Sequence, residues 1–312
     1  MSAPSLQSIR RRVVGSNVWL SHAVNDAQAT LARLSVQEIK PVVLASEEAV
    51  GRAMLQEIEA AARSKEGDLV IILLGGRGAQ SLHRLLGALA RTDEADELLG
   101  RLCVFTQDAL APMRMESGLS FVRDFERLLG AAFFKKVKSF TSMRTDTDDL
   151  EGELARYTEQ LESLGGIDIF FLGHGPEPGG ASHLAYIKPG SGATASDVAG
   201  LIPISTSILE HHIAKFKAGG SAVTEADEAE CRTATHILTL GPAAILRARR
   251  IVQSIVDAST APAKRVSYRR VLKAQIARDS AARAAQFNEN PGLWTRLHPN
   301  LSSLVLPDVL VA

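Results

Sequence analysis

Residues 167–192 constrain the fold of this chain more than any other stretch. They begin with the apolar run IDIFFL at 167–172 and then break into a loop of glycines and prolines that holds His174 and His183. A short apolar run bounded by glycine is typical of a strand buried on both faces, as in a parallel sheet. Open α/β sheets bind their ligands in loops that follow the C-terminal ends of strands. The stretch therefore predicts a buried strand whose following loop forms the floor of a ligand-binding cleft.

The same order of apolar run, turn and helix recurs along the chain. Residues 68–74 predict a strand, 75–78 a Gly-rich turn and 80–91 a helix, and residues 102–106 predict a strand that ends near Asp108. Strands that alternate with helices indicate an α/β fold, here a mostly parallel, Rossmann-like sheet flanked by helices.

Length and composition favour one large α/β domain. The chain has 312 residues, of which 46% are hydrophobic, and this is enough for a sizeable core. We expect residues 1–40 to be an N-terminal extension, with Trp19 as its anchor on the main body, and residues 41–312 to be a single α/β domain. Periodicity leaves residues 251–256 ambiguous between a helix and a strand.

The charge balance and the cysteines limit the classes of partner and compartment. Lys and Arg together number 35, as do Asp and Glu, so the basic excess of a nucleic-acid-binding protein is missing. The longest candidate for a membrane span is the apolar run at residues 69–74. This run is far shorter than the roughly 20 residues that cross a bilayer. Two distant cysteines, Cys103 and Cys231, favour reduced thiols. We expect a cytoplasmic protein that binds neither nucleic acid nor membrane.

The Gly-rich turn after the strand at 68–74 is a candidate anion site. Backbone N–H groups and the start of a helix can hold a phosphate there, and glycines let the ligand approach the backbone. The alternative is an ordinary turn between a strand and a helix. A dinucleotide fingerprint needs a third glycine where this chain has Ser81, and the Gly-Lys-Ser/Thr ending of a Walker A loop is missing.

Five segments, in chain order, carry a family resemblance. The sequence resembles the family of glucosamine-6-phosphate deaminases and 6-phosphogluconolactonases, as a divergent member. The matching segments are LGGRGAQS at 74–81, FTQDA at 105–109, LGHG at 172–175 with SHLA at 182–185, LTLG at 238–241, and WTRLHPN at 294–300. The resemblance implies a sugar-phosphate isomerase-like fold that binds a phosphorylated sugar or a related small anion.

The resemblance also implies roles for individual residues. Asp108 would be the base that acts at the C2 carbon of the sugar, and His183 would assist ring opening; moving a proton between adjacent carbons needs such groups. Lys215 and Lys264 lie near the family's basic residues. The implied phosphate-binding residues are Gly75, Gly76, Arg77, Gly78, Ser81, Lys215 and Lys264.

The sequence departs from the family's pattern around His183. The family carries carboxylates where this chain has Ala181 and Lys188, and the loop is longer and contains Glu177. If the longer loop folds back, Glu177 can orient His183 in place of the family's carboxylates. Lys188 either binds a second anionic group of the ligand or pairs with an acidic side chain, Glu177 or Asp108.

These observations leave several functions open. The first is an enzyme of the isomerase/deaminase or lactonase type that acts on a hexose phosphate or a phosphogluconolactone. The second is a catalytically reduced sugar-phosphate sensor or binding protein, and the third is an interaction protein that kept only the fold. No His, Cys and carboxylate set has the spacing of metal ligands, so we expect no metal and no organic cofactor. A homo-oligomer is compatible with the sequence.

Overall fold

The computed structural model of the chain describes residues 9–22 and 27–311. Its strands are β1 (Ile9–Val14), β2 (Asn17–His22), β3 (Pro41–Val43), β4 (Leu69–Leu73), β5 (Leu102–Thr106), β6 (Asp108–Ala111), β7 (Ser139–Thr141), β8 (Ile169–Leu172), β9 (Gly175–Pro176), β10 (Ser182–His183), β11 (Asp197–Pro203), β12 (His236–Leu240), β13 (Arg250–Ile255) and β14 (Leu301–Val305). Its α-helices are α1 (Ala27–Arg33), α2 (Glu47–Ser64), α3 (Gln80–Leu89), α4 (Asp96–Leu99), α5 (Phe121–Lys136), α6 (Leu150–Ser163), α7 (Thr206–Ala218), α8 (Glu225–Cys231), α9 (Pro242–Arg247), α10 (Ala263–Lys273), α11 (Ser280–Glu289) and α12 (Pro307–Leu310). None of these helices is both long and apolar enough to cross a membrane.

A seven-stranded sheet forms the centre of the molecule. Its strand order is β3-β14-β13-β8-β4-β5-β7, and its strands pair in parallel. Every residue of β4, β5 and β8 is buried, because helices cover both faces of the sheet. The predicted α/β fold with a parallel sheet flanked by helices is confirmed. Residues 251–255 of the ambiguous run belong to strand β13, which ends at Ile255.

A second sheet of five strands, in the order β1-β2-β11-β12-β6, is antiparallel and was not predicted. Strand β11 is buried along nearly its whole length, and β6 has only four residues. Neither strand shows the alternation of apolar and polar residues that reveals an antiparallel strand with one solvated face.

Gln107 joins the two sheets. Its backbone N–H donates to the carbonyl of Leu73 in β4 at 3.2 Å, and its own carbonyl accepts from the N–H of Leu240 in β12 at 3.0 Å. The next residue, Asp108, therefore lies where the sheets meet. We predicted Asp108 just after the end of β5; it lies there and is also the first residue of β6.

The N-terminal residues form a hairpin, β1 and β2, that adds to the edge of the second sheet beside β11. Trp19 of β2 is fully buried, and its Nε1 donates to the carbonyl of Ser191 at 3.0 Å. The indole ring lies against Gly200, where a Cβ would come within 2.5 Å of it. Residues 1–8 and 23–26 of the expected extension lie outside the described residues, and the boundary at residue 40 stays a prediction.

Candidate functional site

A cleft opens at the C-terminal ends of four neighbouring strands, β13, β8, β4 and β5. This is the edge at which parallel sheets bind ligands. The residues that line the cleft are Leu74, Gly75, Arg77, Gly78, Gln107, Asp108, Gly173, His174, Gly175, His183, Ala185, Tyr186, His211, Lys215, Ser254, Asp257 and Lys264.

The Gly-rich turn after β4 forms one wall of the cleft. Gly76 has a φ of +79°, a conformation that side chains other than glycine rarely adopt. At Gly75 a Cβ would overlap the ring of Phe121, at 1.8 Å. The Arg77 guanidinium donates to Glu47 at 2.7 Å, so this cation already has a carboxylate partner. The turn therefore contributes backbone groups to the cleft, whereas its one cation, Arg77, is already paired with Glu47.

Asp108 contributes a buried carboxylate to the lining of the cleft. Its side chain accepts a hydrogen bond from Gln107 Nε2 at 2.7 Å through Oδ2, whereas Oδ1 has no protein partner among the described residues. Burial raises the pKa of Asp108 to about 6, against the opposing effects of the Lys215 charge and the Gln107 hydrogen bond. A carboxylate with such a pKa and one free oxygen can accept and return a proton near neutral pH.

His183 is held by the longer loop that follows β8. Strands β9 and β10 pair antiparallel, with His183 opposite Gly175, and this folds the loop back on itself. Glu177 then lies 2.7 Å from Nδ1 of His183, while Ser207 Oγ donates to the other Glu177 oxygen at 3.0 Å. The loop thus places a carboxylate on His183, although Ala181 and Lys188 occupy the positions of the family's carboxylates.

The surroundings of His183 favour its neutral form. Burial lowers the pKa of His183, against the raising effect of its hydrogen bond and charge interaction with Glu177. In the neutral ring the Nδ1–H donates to Glu177, so Nε2 carries the free lone pair. His183 can therefore accept a proton from a ligand in the cleft.

Lys215 of α7 reaches the cleft through an aromatic cage. Its Nζ lies 4.9 Å from the ring centroid of Phe121 and 4.6 Å from that of Tyr186, and it donates to the Tyr186 hydroxyl at 2.5 Å. Tyr186 in turn bonds to Nδ1 of His212 at 2.9 Å, and His212 Nε2 donates to a backbone carbonyl. Burial lowers the pKa of Lys215 to about 8, opposed by the Asp108 charge, so the amine is mainly charged at pH 7.

Lys264 enters the cleft already bound to an acidic residue. Its Nζ lies 2.7 Å from both carboxylate oxygens of Asp257, and both side chains are buried. Asp257 follows β13 just as Asp108 follows β5. Asp257 was not predicted as a site residue. The run at 251–256 could not be assigned to a strand, so nothing in the sequence placed the following acid at the end of a strand.

Two further histidines line the cleft. His174 donates or accepts through Nε2 with Ser267 Oγ at 2.8 Å, and burial lowers its pKa to about 3, so its ring is neutral. The His211 ring lies 6.1 Å from that of His183. Across residues 9–22 and 27–311, no group of three or more His, Cys, Asp or Glu side chains is arranged to hold a metal ion.

The structure brings together most of the predicted site residues. Gly75, Arg77, Gly78, Asp108, His183, Lys215 and Lys264 line one cleft. Gly76 lies against the Lys215 side chain, because a Cβ there would be 3.3 Å from the lysine Cε. Three predicted residues, Gly76, Ser81 and Lys188, are not among those that line the cleft. Ser81 lies on α3 where that helix passes Gly51 of α2, and Lys188 lies half-buried beyond the loop.

Comparisons with known proteins agree with the resemblance seen in the sequence. No protein-family model matches the chain. A glucosamine-6-phosphate deaminase of Bacteroides thetaiotaomicron is 38% identical over 60 residues, which are 19% of this chain and 21% of that protein. A glucosamine-6-phosphate deaminase of Bacteroides fragilis is 49% identical over 43 residues, 14% of each chain. The chain thus matches only about a fifth or less of these relatives' length.

Solved structures match over nearly the whole fold. A monomeric glucosamine-6-phosphate deaminase superposes with a TM-score of 0.64 at 19% identity, covering 87% of this chain and 98% of that one. The 6-phosphogluconolactonase of Thermotoga maritima superposes with a TM-score of 0.57 at 14% identity, covering 86% of this chain and 99% of that one. The 6-phosphogluconolactonase of Trypanosoma brucei superposes with a TM-score of 0.58 at 18% identity, covering 88% of this chain and 98% of that one. At these identities the structures establish a shared fold, and the predicted resemblance to both groups is confirmed.

Proposed function

We propose that this chain, which has the fold of the glucosamine-6-phosphate deaminases and 6-phosphogluconolactonases, is an enzyme that isomerises or deaminates a hexose phosphate. The observation that carries the proposal is the Glu177–His183 pair in the same cleft as Asp108. A paired histidine and a buried carboxylate with a free oxygen are the two proton-transfer groups that this chemistry needs.

His183 performs the ring-opening step in this proposal. Its neutral Nε2 takes the proton of the anomeric hydroxyl, and the C1–O bond to the ring oxygen breaks as the C1 carbonyl forms. The imidazolium is stabilised by Glu177 on Nδ1 and then gives its proton to the ring oxygen. No net proton is gained or lost by the enzyme.

Asp108 performs the carbon-to-carbon proton transfer. The ionised Oδ1 removes the proton from C2, and the electrons of that C–H bond form a C1–C2 double bond. The C1 carbonyl electrons move to O1, which takes a proton from solvent to give an enediol or enolamine. The same carboxyl group then returns the proton to C1 as the C2 substituent gives up a proton to solvent. With an amino sugar this leaves an imine at C2, and water hydrolyses it to the C2 ketone and ammonia. With its pKa raised to about 6, Asp108 is mostly ionised at pH 7 yet is a stronger base than an ordinary aspartate.

The anionic end of the ligand binds against the Gly-rich turn. The turn offers backbone N–H groups near the start of α3, and Lys215 lies against Gly76 with a charged amine. This placement puts the sugar carbons between the turn and the Asp108 and His183 side chains, across the width of the cleft.

A second candidate reaction, lactone hydrolysis, is favoured by the state of His183. A neutral imidazole held by Glu177 is the arrangement that removes a proton from an attacking water. That reaction has no step in which a proton leaves C2, so it does not need Asp108 as a base. Substitution of Asp108 therefore separates the two reactions.

The test measures turnover of glucosamine-6-phosphate and of 6-phosphogluconolactone by the native chain, by Asp108→Asn and by Asp148→Asn, an exposed acidic control. We expect the native chain and the control to release ammonia from the amino sugar and Asp108→Asn to lose at least about a hundredfold in kcat. Lactone hydrolysis that survives Asp108→Asn would favour the second candidate. Thermal stabilisation by the sugar phosphate without turnover would make the chain a sensor. If neither compound stabilises the protein or is converted, the proposed function is wrong.

A further inference from the structure

Lys215 depends on one side chain for its hydrogen bond inside the cleft. Across residues 9–22 and 27–311, the Tyr186 hydroxyl is the only acceptor at hydrogen-bond distance from Lys215 Nζ, at 2.5 Å. The amine also lies over the rings of Phe121, Tyr186 and Phe216, at 4.9, 4.6 and 5.9 Å from their centroids. These rings attract the positive charge without accepting an N–H along a defined direction. The Tyr186 oxygen therefore decides where the amine points.

A backbone carbonyl determines the direction of the hydrogen bonds behind Tyr186. The Leu119 carbonyl can only accept, so the proton of the neutral His212 ring lies on Nε2, which donates to it at 2.7 Å. Nδ1 then carries a lone pair and accepts from the Tyr186 hydroxyl at 2.9 Å. Burial and the Lys215 charge hold the pKa of His212 well below its ordinary value, so the ring stays neutral. Because the hydroxyl proton is bound to His212, the Tyr186 oxygen offers only lone pairs to Lys215.

The turn that carries Tyr186 has a backbone conformation that its residues rarely adopt. Ala185 and Tyr186 have φ values of +48° and +56°, and Leu184 and Ile187 on either side exchange two backbone hydrogen bonds at 2.8 and 3.3 Å. A tight turn with two positive φ values is usually built from Asn-Gly or Gly-Gly. Thr239 Oγ donates to the Ala185 carbonyl and supports the turn. Backbone strain of this kind is concentrated where a fold places a functional side chain.

We propose that Tyr186 and His212 are positioning residues that hold the Lys215 ammonium in place for the anionic group of the ligand. The inference rests on the proposed function, because it takes that group to bind at the Gly-rich turn, where Lys215 lies against Gly76. One N–H of the ammonium is bound to Tyr186, and the other two can donate to the ligand. The acceptor oxygen also favours the charged amine, because a hydrogen bond from a charged donor is stronger than one from a neutral donor.

The other charged groups around Lys215 cannot replace Tyr186. Those that act on it through space are Asp108, Asp124, Asp257 and Lys264. Burial lowers the pKa of Lys215 most, to about 8, and Lys264 acts in the same direction, whereas the three acids raise it. Burial keeps the nearby rings of His183, His211 and His212 neutral. In the part of the chain that the structure describes, none of these groups lies at hydrogen-bond distance from Nζ.

The test compares Tyr186→Phe with Tyr268→Phe. The first variant keeps the ring beside Lys215 and removes only the hydroxyl. Tyr268 is also buried, and its hydroxyl bonds to Ser303 Oγ at 2.6 Å, outside the residues that line the cleft, so it is the matched control. Calorimetric titration with inorganic phosphate measures binding at pH 7 and at about pH 8.5, and turnover of glucosamine-6-phosphate gives kcat and KM.

The expected result is a loss of anion binding that grows with pH. Tyr186→Phe should bind inorganic phosphate about tenfold more weakly than the native chain at pH 7, and the gap should widen at about pH 8.5, because the amine of the variant loses its proton at a lower pH. KM for glucosamine-6-phosphate should rise by a similar factor while kcat stays within about threefold. Tyr268→Phe should match the native chain.

His212→Leu tests whether His212 acts through Tyr186. It should weaken phosphate binding in the native background and have no further effect in the Tyr186→Phe background, because the hydroxyl through which it acts is then missing. Additive losses in the double variant would overturn the role assigned to His212.

Unchanged phosphate affinity of Tyr186→Phe at both pH values would overturn the role of Tyr186 while leaving the proposed function intact. A fall in kcat as large as the rise in KM, or an equal loss in Tyr268→Phe, would indicate a general disturbance of the fold and would also overturn that role. If the native chain neither bound phosphate nor converted the sugar phosphate, both the positioning role and the proposed function would be wrong.

Discussion

Glu177 shows how a single residue can restore a lost interaction from a different position. The chain carries Ala181 and Lys188 where the resembling family has carboxylates, yet His183 still has a carboxylate at 2.7 Å. The loop that supplies it closes through the pairing of β9 and β10. The sequence made this arrangement a hypothesis, because the extra residues included one acid. It could not establish the fold of the loop, which depends on a two-residue strand pair.

Substitution of Glu177 by Gln should change both the pKa of His183 and the rate. The hydrogen bond and the charge of Glu177 both raise the pKa of His183, so their loss should lower it further below the ordinary histidine value. We expect kcat to fall about tenfold to a hundredfold with little change in KM, because the imidazolium formed in the reaction loses its partner. NMR titration of His183 measures the first effect and steady-state kinetics the second.

Ser207→Ala is the matched control for this prediction. Ser207 donates to the other Glu177 oxygen at 3.0 Å and leaves the carboxylate in place when removed. We expect its kcat to stay within about threefold of the native value, since only one exposed hydrogen bond to the carboxylate is lost. An unchanged His183 pKa in Glu177→Gln would contradict the assigned contact.

At the scale of elements, the strands of the parallel sheet were the easiest features to predict. Their apolar runs are short and end at glycine or a polar residue, as in β4 and β8. The antiparallel sheet was not predicted, because almost every residue of β6 and β11 is buried and neither strand alternates apolar with polar residues. Asp257 was missed for a related reason, since strand β13 before it could not be told from a helix.

The N-terminal hairpin should contribute strongly to stability through Trp19. The indole is fully buried against Gly200 and donates a hydrogen bond to Ser191 at 3.0 Å. Trp19→Ala should lower the free energy of unfolding by about 3–5 kcal/mol, because it leaves a large cavity over Gly200 of β11. Urea unfolding followed by circular dichroism measures this change.

Val13 on the neighbouring strand of the hairpin provides the control. Its side chain is half exposed, so Val13→Ala should change the unfolding free energy by about 0.5 kcal/mol or less. If Trp19→Ala were as mild as Val13→Ala, the Trp19 ring would not be packed against β11 as the structure shows.

At the scale of the whole molecule, the buried carboxylate in the cleft should lower the stability of the folded state. Asp108 is 3% exposed at the junction of the two sheets, and burial raises its pKa from 3.8 to about 6. The unfolded chain ionises Asp108 near pH 4, whereas the folded chain keeps it protonated up to about pH 6. Raising the pH through this window therefore favours the unfolded state, and the lost stability reaches about 3 kcal/mol above pH 6.

Asp108→Asn should remove this dependence while removing the proposed base. The variant should unfold at a higher temperature than the native chain at pH 7, by an amount that shrinks as the pH falls from 6 to 4, because the native carboxyl is then neutral in the folded state. Calorimetric melting curves of both proteins across pH 4–8 measure the difference, with Asp148→Asn as the exposed control. If Asp108→Asn instead lost stability relative to the native chain as the pH rose from 4 to 7, other groups in the folded protein would have to stabilise the buried charge. A more stable but inactive variant would show that the molecule retains this buried charge for the cleft's chemistry at the expense of its stability.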